Sequence, residues 1–423
     1  MLTQQQVSEG RQQWLGGGYR LFYQEPLHVV RAEGVWLYDS EGRRYLDAYN
    51  NVASVGHCHP AVVEAIAAQA AQLNTHTRYL SDAIVEFAED FLTEFPPELR
   101  SLTMTCTGSE ANDLALRVAR LVTGGQGILV TRWAYHGVTS ALAELSPSLG
   151  EGFVQGNTVW LIDAPDTFRH PGAFGAGVER ALEEMKQAGV KPAALLLDTI
   201  FSSDGIFSPP PQEIQRAVAQ VRAAGGLFIA DEVQPGFGRT GSSRWGFSRY
   251  GVLPDLVSLG KPMGNGHPVA GLVGRPELFA EFGRRQRYFN TFGGNPVSCR
   301  AAHAVLQVLR REALQQNAQT TGALLREGLQ KLAARYPVIG DVRGEGLFIG
   351  VELVSDQRNT PAPDQAAYVV NAMRRKQILI SATGPSANVL KIRPPLVFQP
   401  EHAALLLETL AEVLGEAAHD PAQ

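Results

Sequence analysis

A chain of 423 residues is too long for one compact core and calls for two or more domains. Its hydrophobic content of 44% and charged content of 19% are those of a folded globular protein, not a disordered one. With 37 Lys and Arg against 42 Asp and Glu, a net charge of −5, the balance favours neither nucleic acid nor an anionic membrane surface as partner.

The opening MLTQQQVSEG is polar and lacks the apolar core of a secretory signal, and no apolar run reaches the roughly 18 residues of a membrane helix. Residues 1 to about 20 read as a polar arm broken at Gly16-Gly17-Gly18. Short strands are expected over Leu27–Arg31, Val35–Asp39 and Tyr45–Ala48, with turns at Glu33-Gly34 and Glu41-Gly42. Pro60 suits the first turn of a helix through AVVEAIAAQAAQ. The preceding His57-Cys58-His59 reads as the turn into that helix, since no further ligands stand at zinc spacing.

From about residue 84 helical and apolar patterns alternate, which predicts a mostly parallel sheet covered by helices. Its strands are expected over Leu102–Thr105, Gly127–Thr131, Thr158–Leu161, Ala194–Leu197, Leu227–Ala230, Leu256–Leu259 and Val269–Val273. They lack strict alternation, as strands buried on both faces do. Beyond about residue 300 come two long helical patterns, a strand-rich piece over Val338–Val354, a helix and a strand over Val389–Ile392. This C-terminal third is expected to fold back beside the N-terminal strands as an α+β domain, with the tail HDPAQ frayed. The boundaries read as 1–55 for the arm and part of the small domain, 56–305 for the large domain, and 306–423 for the rest of the small one. Cys58, Cys106 and Cys299 show no CxxC spacing, which suits reduced thiols in the cytoplasm.

Two strand ends carry the chemistry. The run Leu227–Ala230 leads into Asp231 and Glu232, and Leu256–Leu259 leads through Gly260 into Lys261. Ligands of open α/β sheets lie outside the carboxyl ends of the strands, so this acid and this lysine are placed to share one site. DEVQPGFGRTG followed by the Gly-Lys pair resembles the class III aminotransferases, enzymes that use pyridoxal 5'-phosphate (PLP). The likeness extends from about Leu27 to Leu414, with GHCHP, TGSEAN, YHG and NTFGGNP in family order.

The resemblance implies the α/β fold of type I PLP-dependent transferases, with a large domain and a small α+β domain built from both chain ends. It makes Lys261 the Schiff-base lysine and proton shuttle, and Asp231 the carboxylate that keeps the pyridine nitrogen protonated. Glu232 is expected to be the structural member of the acidic pair. Gly108 and Ser109 would meet the cofactor phosphate at a helix start, where free amides and the dipole favour an anion. Tyr135 is assigned to the ring, beside His136; Val233 packs on the ring, and Gln234 bonds near its 3-oxygen. Thr291 would reach the phosphate of a neighbouring subunit, which implies a homodimer or a dimer of dimers with shared sites.

The substrate side departs from the family. Lys391 stands where many members carry an arginine, and Ser203 where some carry the glutamate that pairs with it. Arg393 follows two residues on; on a strand it shares a face with Lys391, and the pair suits a carboxylate or a phosphate. Asn51, with Asn50, Thr77, Arg78 and Tyr79, is expected at the entrance. The implied reaction is ping-pong transfer of an amino group from an ω-amino, diamino or amino-acid donor to pyruvate or 2-oxoglutarate. The alternative in the same branch is a phospho-lyase acting on a phosphorylated amino alcohol such as phosphoethanolamine. Intact Lys261 and Asp231 argue against a catalytically silent relative.

Overall fold

The computed structural model describes residues 2–419; the expectation for the tail beyond His419 lies outside them. Three strands open the chain, β1 (Val29–Glu33), β2 (Trp36–Asp39) and β3 (Arg44–Asp47). Strand β1 lies two residues later than its apolar run suggests. Its register is set by the Glu33–Trp36 pair around a two-residue turn, Gly34-Val35, in which Gly34 takes a positive φ of 57°. Val35 is thereby a buried turn residue and not the start of β2.

The centre is a seven-stranded sheet of β4 (Ser101–Thr105), β5 (Gly127–Thr131), β6 (Val159–Ile162), β7 (Pro192–Asp198), β8 (Leu227–Asp231), β9 (Leu256–Leu259) and β10 (Ala270–Gly274). Their order is β4-β10-β9-β8-β7-β5-β6, and β10 alone runs against the others. Side chains alternate between two cores. Leu129, Leu195, Phe228 and Val257 face one, while Ile128, Leu196, Ile229 and Leu256 face the other. Helix Gly108–Thr123 covers the second core with Leu114, Ala115 and Val118. Helices Phe174–Gln187, Pro211–Ala223 and Pro296–Arg311 contribute to the first. Apolar side chains on both faces give near-continuous hydrophobic strands, so polar side chains collect at the carboxyl ends: Thr131, Asp198, Asp231 and Ser258.

The C-terminal part adds β11 (Ile339–Glu345), β12 (Phe348–Leu353), β13 (Ile378–Leu379), β14 (Ser381–Thr383) and β15 (Val389–Ile392). Four of these form an antiparallel sheet in the order β11-β12-β15-β14, whereas β13 pairs in parallel with β3. The long helix Leu314–Arg335 crosses the β11–β12 turn so closely that a Cβ on Gly322 would lie 2.1 Å from the carbonyl oxygen of Gly346. Gly322→Ala is therefore expected to push the helix off the hairpin at a cost of about 1–3 kcal/mol, read as a lower Tm in thermal unfolding. An unchanged Tm would show that the helix shifts freely.

Candidate active site

The parallel pairing of β7, β8 and β9 sets Asp198 beside Asp231 and Asp231 beside Ser258, two residues short of Gly260. One cleft at these ends takes in Asp198, Asp231, Val233, Gln234 and Lys261, and from the neighbouring helix and turn Gly108, Ser109, Asn112, Tyr135 and His136.

Asp231 is buried, and each of its carboxylate oxygens has a partner. Oδ2 accepts from Asn112 Nδ2 at 2.8 Å and lies 2.8 Å from His136 Nδ1, and Oδ1 accepts from the Val233 amide at 3.1 Å. Asn112 also donates to the His136 carbonyl at 2.9 Å, and the His136 amide donates to Ser146 Oγ at 3.0 Å. His136 Nε2 is buried with no partner among the described residues. Glu232 faces away from the cleft. It accepts from Thr199 Oγ1 and the amides of Gly246 and Phe247, while burial pushes its carboxyl up to about 7.

Lys261 opens a short 3-10 turn with a φ of 30°, left-handed backbone that non-glycine residues seldom adopt and that collects at functional sites. Its Nζ lies 5.9 Å from the centre of the Tyr135 ring. Burial lowers the pKa of this amine, Arg393 lowers it further, and Asp231 and Asp198 oppose. A buried amine of lowered pKa is a better nucleophile and base near neutrality.

At the other end, helix Gly108–Thr123 begins with a capping box. Thr107 Oγ1 accepts the Glu110 amide at 3.1 Å, and Glu110 Oε2 accepts the Thr107 amide at 3.0 Å. The first four amides of a helix lack intrahelical acceptors. Thr107 takes those of Glu110 and Ala111, which leaves the Gly108 and Ser109 amides without an acceptor among the described residues and open to an anion. A Cβ at Gly108 would lie 2.9 Å from Val233 Cγ2, so backbone and valine are already in close approach. Amides for a phosphate, a buried carboxylate for a ring nitrogen and an amine for an aldehyde together suit PLP.

Lys391 and Arg393 are both buried, at 7% and 4% exposure. They share a side, with Lys391 Nζ 5.7 Å and Arg393 Cζ 5.2 Å from the centre of the Phe348 ring. Arg393 donates to Gln234 Oε1 and, at 3.3 Å, to the Tyr49 carbonyl. The Lys391 amine has no hydrogen bond or ion pair among the described residues. Burial holds its pKa well down, with Arg393 and Lys261 adding repulsion against the pull of Asp198.

Asn51 is buried and donates to the Gln234 carbonyl at 3.1 Å, so it supports the cleft floor instead of standing at an open mouth. Thr77 and Arg78 line a different cleft with Phe282 and Phe289. Thr291 is exposed beside Phe292 and does not enter the Lys261 cleft of its own chain. His57 and His59 are each committed to a carboxylate, Asp47 at 2.7 Å and Glu312 at 3.1 Å. Sequence reasoning missed Asn112 and Asp198. Asn112 lies four residues after Gly108, on the same helix face, and Asp198 ends the strand adjacent to β8, so the strand-end rule applies to it as well.

The aminotransferase class-III family profile matches residues 22–414. The alanine–glyoxylate aminotransferase 2-like protein of Drosophila melanogaster is 41% identical over 432 residues, 98% of this chain and 87% of that protein. A phospholyase from Arthrobacter, solved in complex with phosphoethanolamine, superposes with a TM-score of 0.95 at 44% identity, over 98% of this chain and 100% of that one. An amine transaminase from an uncultivated Pseudomonas species, solved in its PLP-bound form, gives a TM-score of 0.86 at 28% identity, over 93% and 95% of the two chains.

Proposed function

Because the chain belongs to the class-III aminotransferases, enzymes whose cofactor is PLP, we propose that it acts on a small amine carrying an anion on the neighbouring carbon, and that this anion is a phosphate ester that leaves. The observation that carries this reading is the Lys391–Arg393 pair beside Lys261. An amine without a partner, its charge disfavoured until an anion enters, and a guanidinium resting on neutral acceptors leave two buried basic groups with no carboxylate bonded to either among the described residues. A phosphate monoester brings up to two negative charges at neutral pH, where a carboxylate brings one. The likeness to the phospholyase solved with phosphoethanolamine supports it.

Bound PLP supplies the electron sink for the pair released at the amine-bearing carbon. Lys261 takes the proton from that carbon, its lowered pKa leaving a share of free amine for the task. Asp231, oriented by Asn112, His136 and the Val233 amide, holds a proton on the ring nitrogen. Gly108 and Ser109 would hold the cofactor phosphate, and Val233, Gln234 and Tyr135, which line the same cleft, would flank the ring. Lys391 and Arg393 offset the charge that grows on the departing oxygen.

Amino transfer to pyruvate or 2-oxoglutarate, from an ω-amino, diamino or amino-acid donor in a ping-pong cycle, is the second reading. The match to the family profile and the likeness to the Drosophila aminotransferase favour it, and Arg393 alone suffices for a carboxylate. A paired assay on PLP-loaded protein separates the two. Phosphate release from phosphoethanolamine without any 2-oxo acid supports the lyase, and amino-acid formation without phosphate supports the transferase. Lys391→Met should raise the KM for phosphoethanolamine about 10- to 100-fold, the worth of one hydrogen bond to a charged group. An unchanged KM would put the substrate anion elsewhere.

The same proposal includes a cytoplasmic homodimer or dimer of dimers, with Thr291 delivered to the second copy's phosphate end. Exposed Trp14, Tyr19, Phe22, Tyr79 and Phe292 supply apolar surface for such a contact, and the three cysteines are unpaired. Among the described residues no helix is long and apolar enough to cross a membrane. Residues 1–55 and 306–423 are taken together as the small domain, a grouping supported by the β3–β13 pairing.

A further inference from the structure

We propose that Asp204, on the turn after β7, is a positioning residue for the His136–Asp231 pair, acting from behind the cleft through Thr131 and Trp133. Asp204 is 7% exposed. Its Oδ2 accepts from Thr131 Oγ1 at 2.7 Å and its Oδ1 from the Trp133 amide at 3.1 Å. Thr131 ends β5, and Trp133 begins the stretch that runs through Tyr135 to His136. One carboxylate on the β7 side therefore ties down the start of the turn from which His136 reaches Asp231.

Asp204 also borders a second cleft of about 760 Å³, toward the C-terminal strands. The cations there are engaged elsewhere. Arg132 pairs with Asp163, Arg169 with Asp166 and Glu352, and Arg343 with Asp341 and Glu352. Arg343 also donates to the carbonyls of Gly205 and Ile206, and His170 is the remaining titratable group of that lining. On the other side Asp204 faces Asp198, which repels its charge, and His136, which attracts it. Burial dominates and pushes the carboxyl up to about 7, against the two hydrogen bonds. A protonated Asp204 still accepts from Trp133 and turns its new hydroxyl toward Thr131. The geometry persists while the charge beside His136 is lost.

The assignment rests on Asp231 serving the ring nitrogen as proposed above, and its test is arranged so that the two fail separately. Asp204→Asn imitates the neutral state, and Asp204→Ala removes both hydrogen bonds. PLP affinity of the stripped protein, followed by absorbance, should weaken several-fold in the wild type as pH falls from 8 to 6. Asp204→Asn should hold the weaker value at both ends of that range, and Asp204→Ala should lose roughly tenfold throughout. A carboxyl whose pKa is raised on folding costs stability as pH rises from its unfolded value near 4 to about 7. In the PLP-free protein Asp204→Asn should thus gain Tm over the wild type between pH 5 and 8. A PLP affinity in Asp204→Ala no weaker than in Asp204→Asn, which keeps both hydrogen bonds, would overturn the positioning role, whatever the Tm shows. If Asp204→Ala binds PLP more weakly than Asp204→Asn while Asp231→Asn proves harmless, the ring-nitrogen reading fails and the grip of Asp204 on the turn stands.

Discussion

Replacing Lys261 with alanine is expected to abolish turnover, by at least ~10³-fold, while PLP remains bound without a covalent link. The expected loss combines the two roles proposed for this side chain, the amine that engages the cofactor aldehyde and the base that moves the proton at the neighbouring carbon, and a positioned base alone is worth about 10²- to 10⁴-fold. No second amine replaces it easily. Lys391 is buried on the substrate side, where Arg393 and Lys261 repel its charged form, and among the described residues no hydrogen bond draws it to the place of the Lys261 amine. Retention of PLP follows because the Gly108–Ser109 amides and the Asp231 carboxylate lie at the other contacts of the cleft and are untouched. Steady-state assay with an absorbance spectrum checks both halves. Ordinary multiple turnover by Lys261→Ala would assign the chemistry to another group.

Asp231→Asn is expected to cut the rate by about 10³-fold, somewhat beyond the loss of one preorganised polar group. The carboxylate accepts from Asn112 and the Val233 amide and meets His136 Nδ1. An amide in its place sets NH₂ against one of these donors, so a buried donor is left unmet as well as a charge removed. On the proposed role, the ring nitrogen would then lose the group that keeps its proton, and the electron sink would weaken. A decrease below tenfold, in protein whose circular dichroism matches the wild type, would remove Asp231 from that nitrogen.

The central sheet and its functional edge were legible because their signals are local. Gly127 opens β5, Gly260 closes β9, and the apolar runs between such punctuation are the strands themselves. Asp231 and Lys261 stand where those runs stop. What holds Asp231 was not legible in the same way. Asn112 and His136 reach it across 119 and 95 residues of sequence, and no pattern within one element records such contacts. Burial of Lys391 and Arg393 was not legible for a related reason. A strand with alternate cations reads as a wet face until the ring of Phe348, on the neighbouring strand, is seen beneath them. Asp204 gave no signal, since a lone acid in a Ser-Asp-Gly turn is what any surface turn contains.

The parallel pairing of β3 with β13 sets the order in which the chain is able to fold. Leu46 finds its partner Ile378 some 330 residues later. During synthesis the first three strands therefore emerge with an unpaired edge and wait while the whole central sheet is made. Closure of such a distant contact comes late, because the entropy of the loop must be overcome before the pairing repays it. Until then the nascent β3 edge is the surface on which a second chain is able to add by mistake. Its protection in that interval falls to the short length of the strand and to the charge of Arg44 and Asp47 at its two ends.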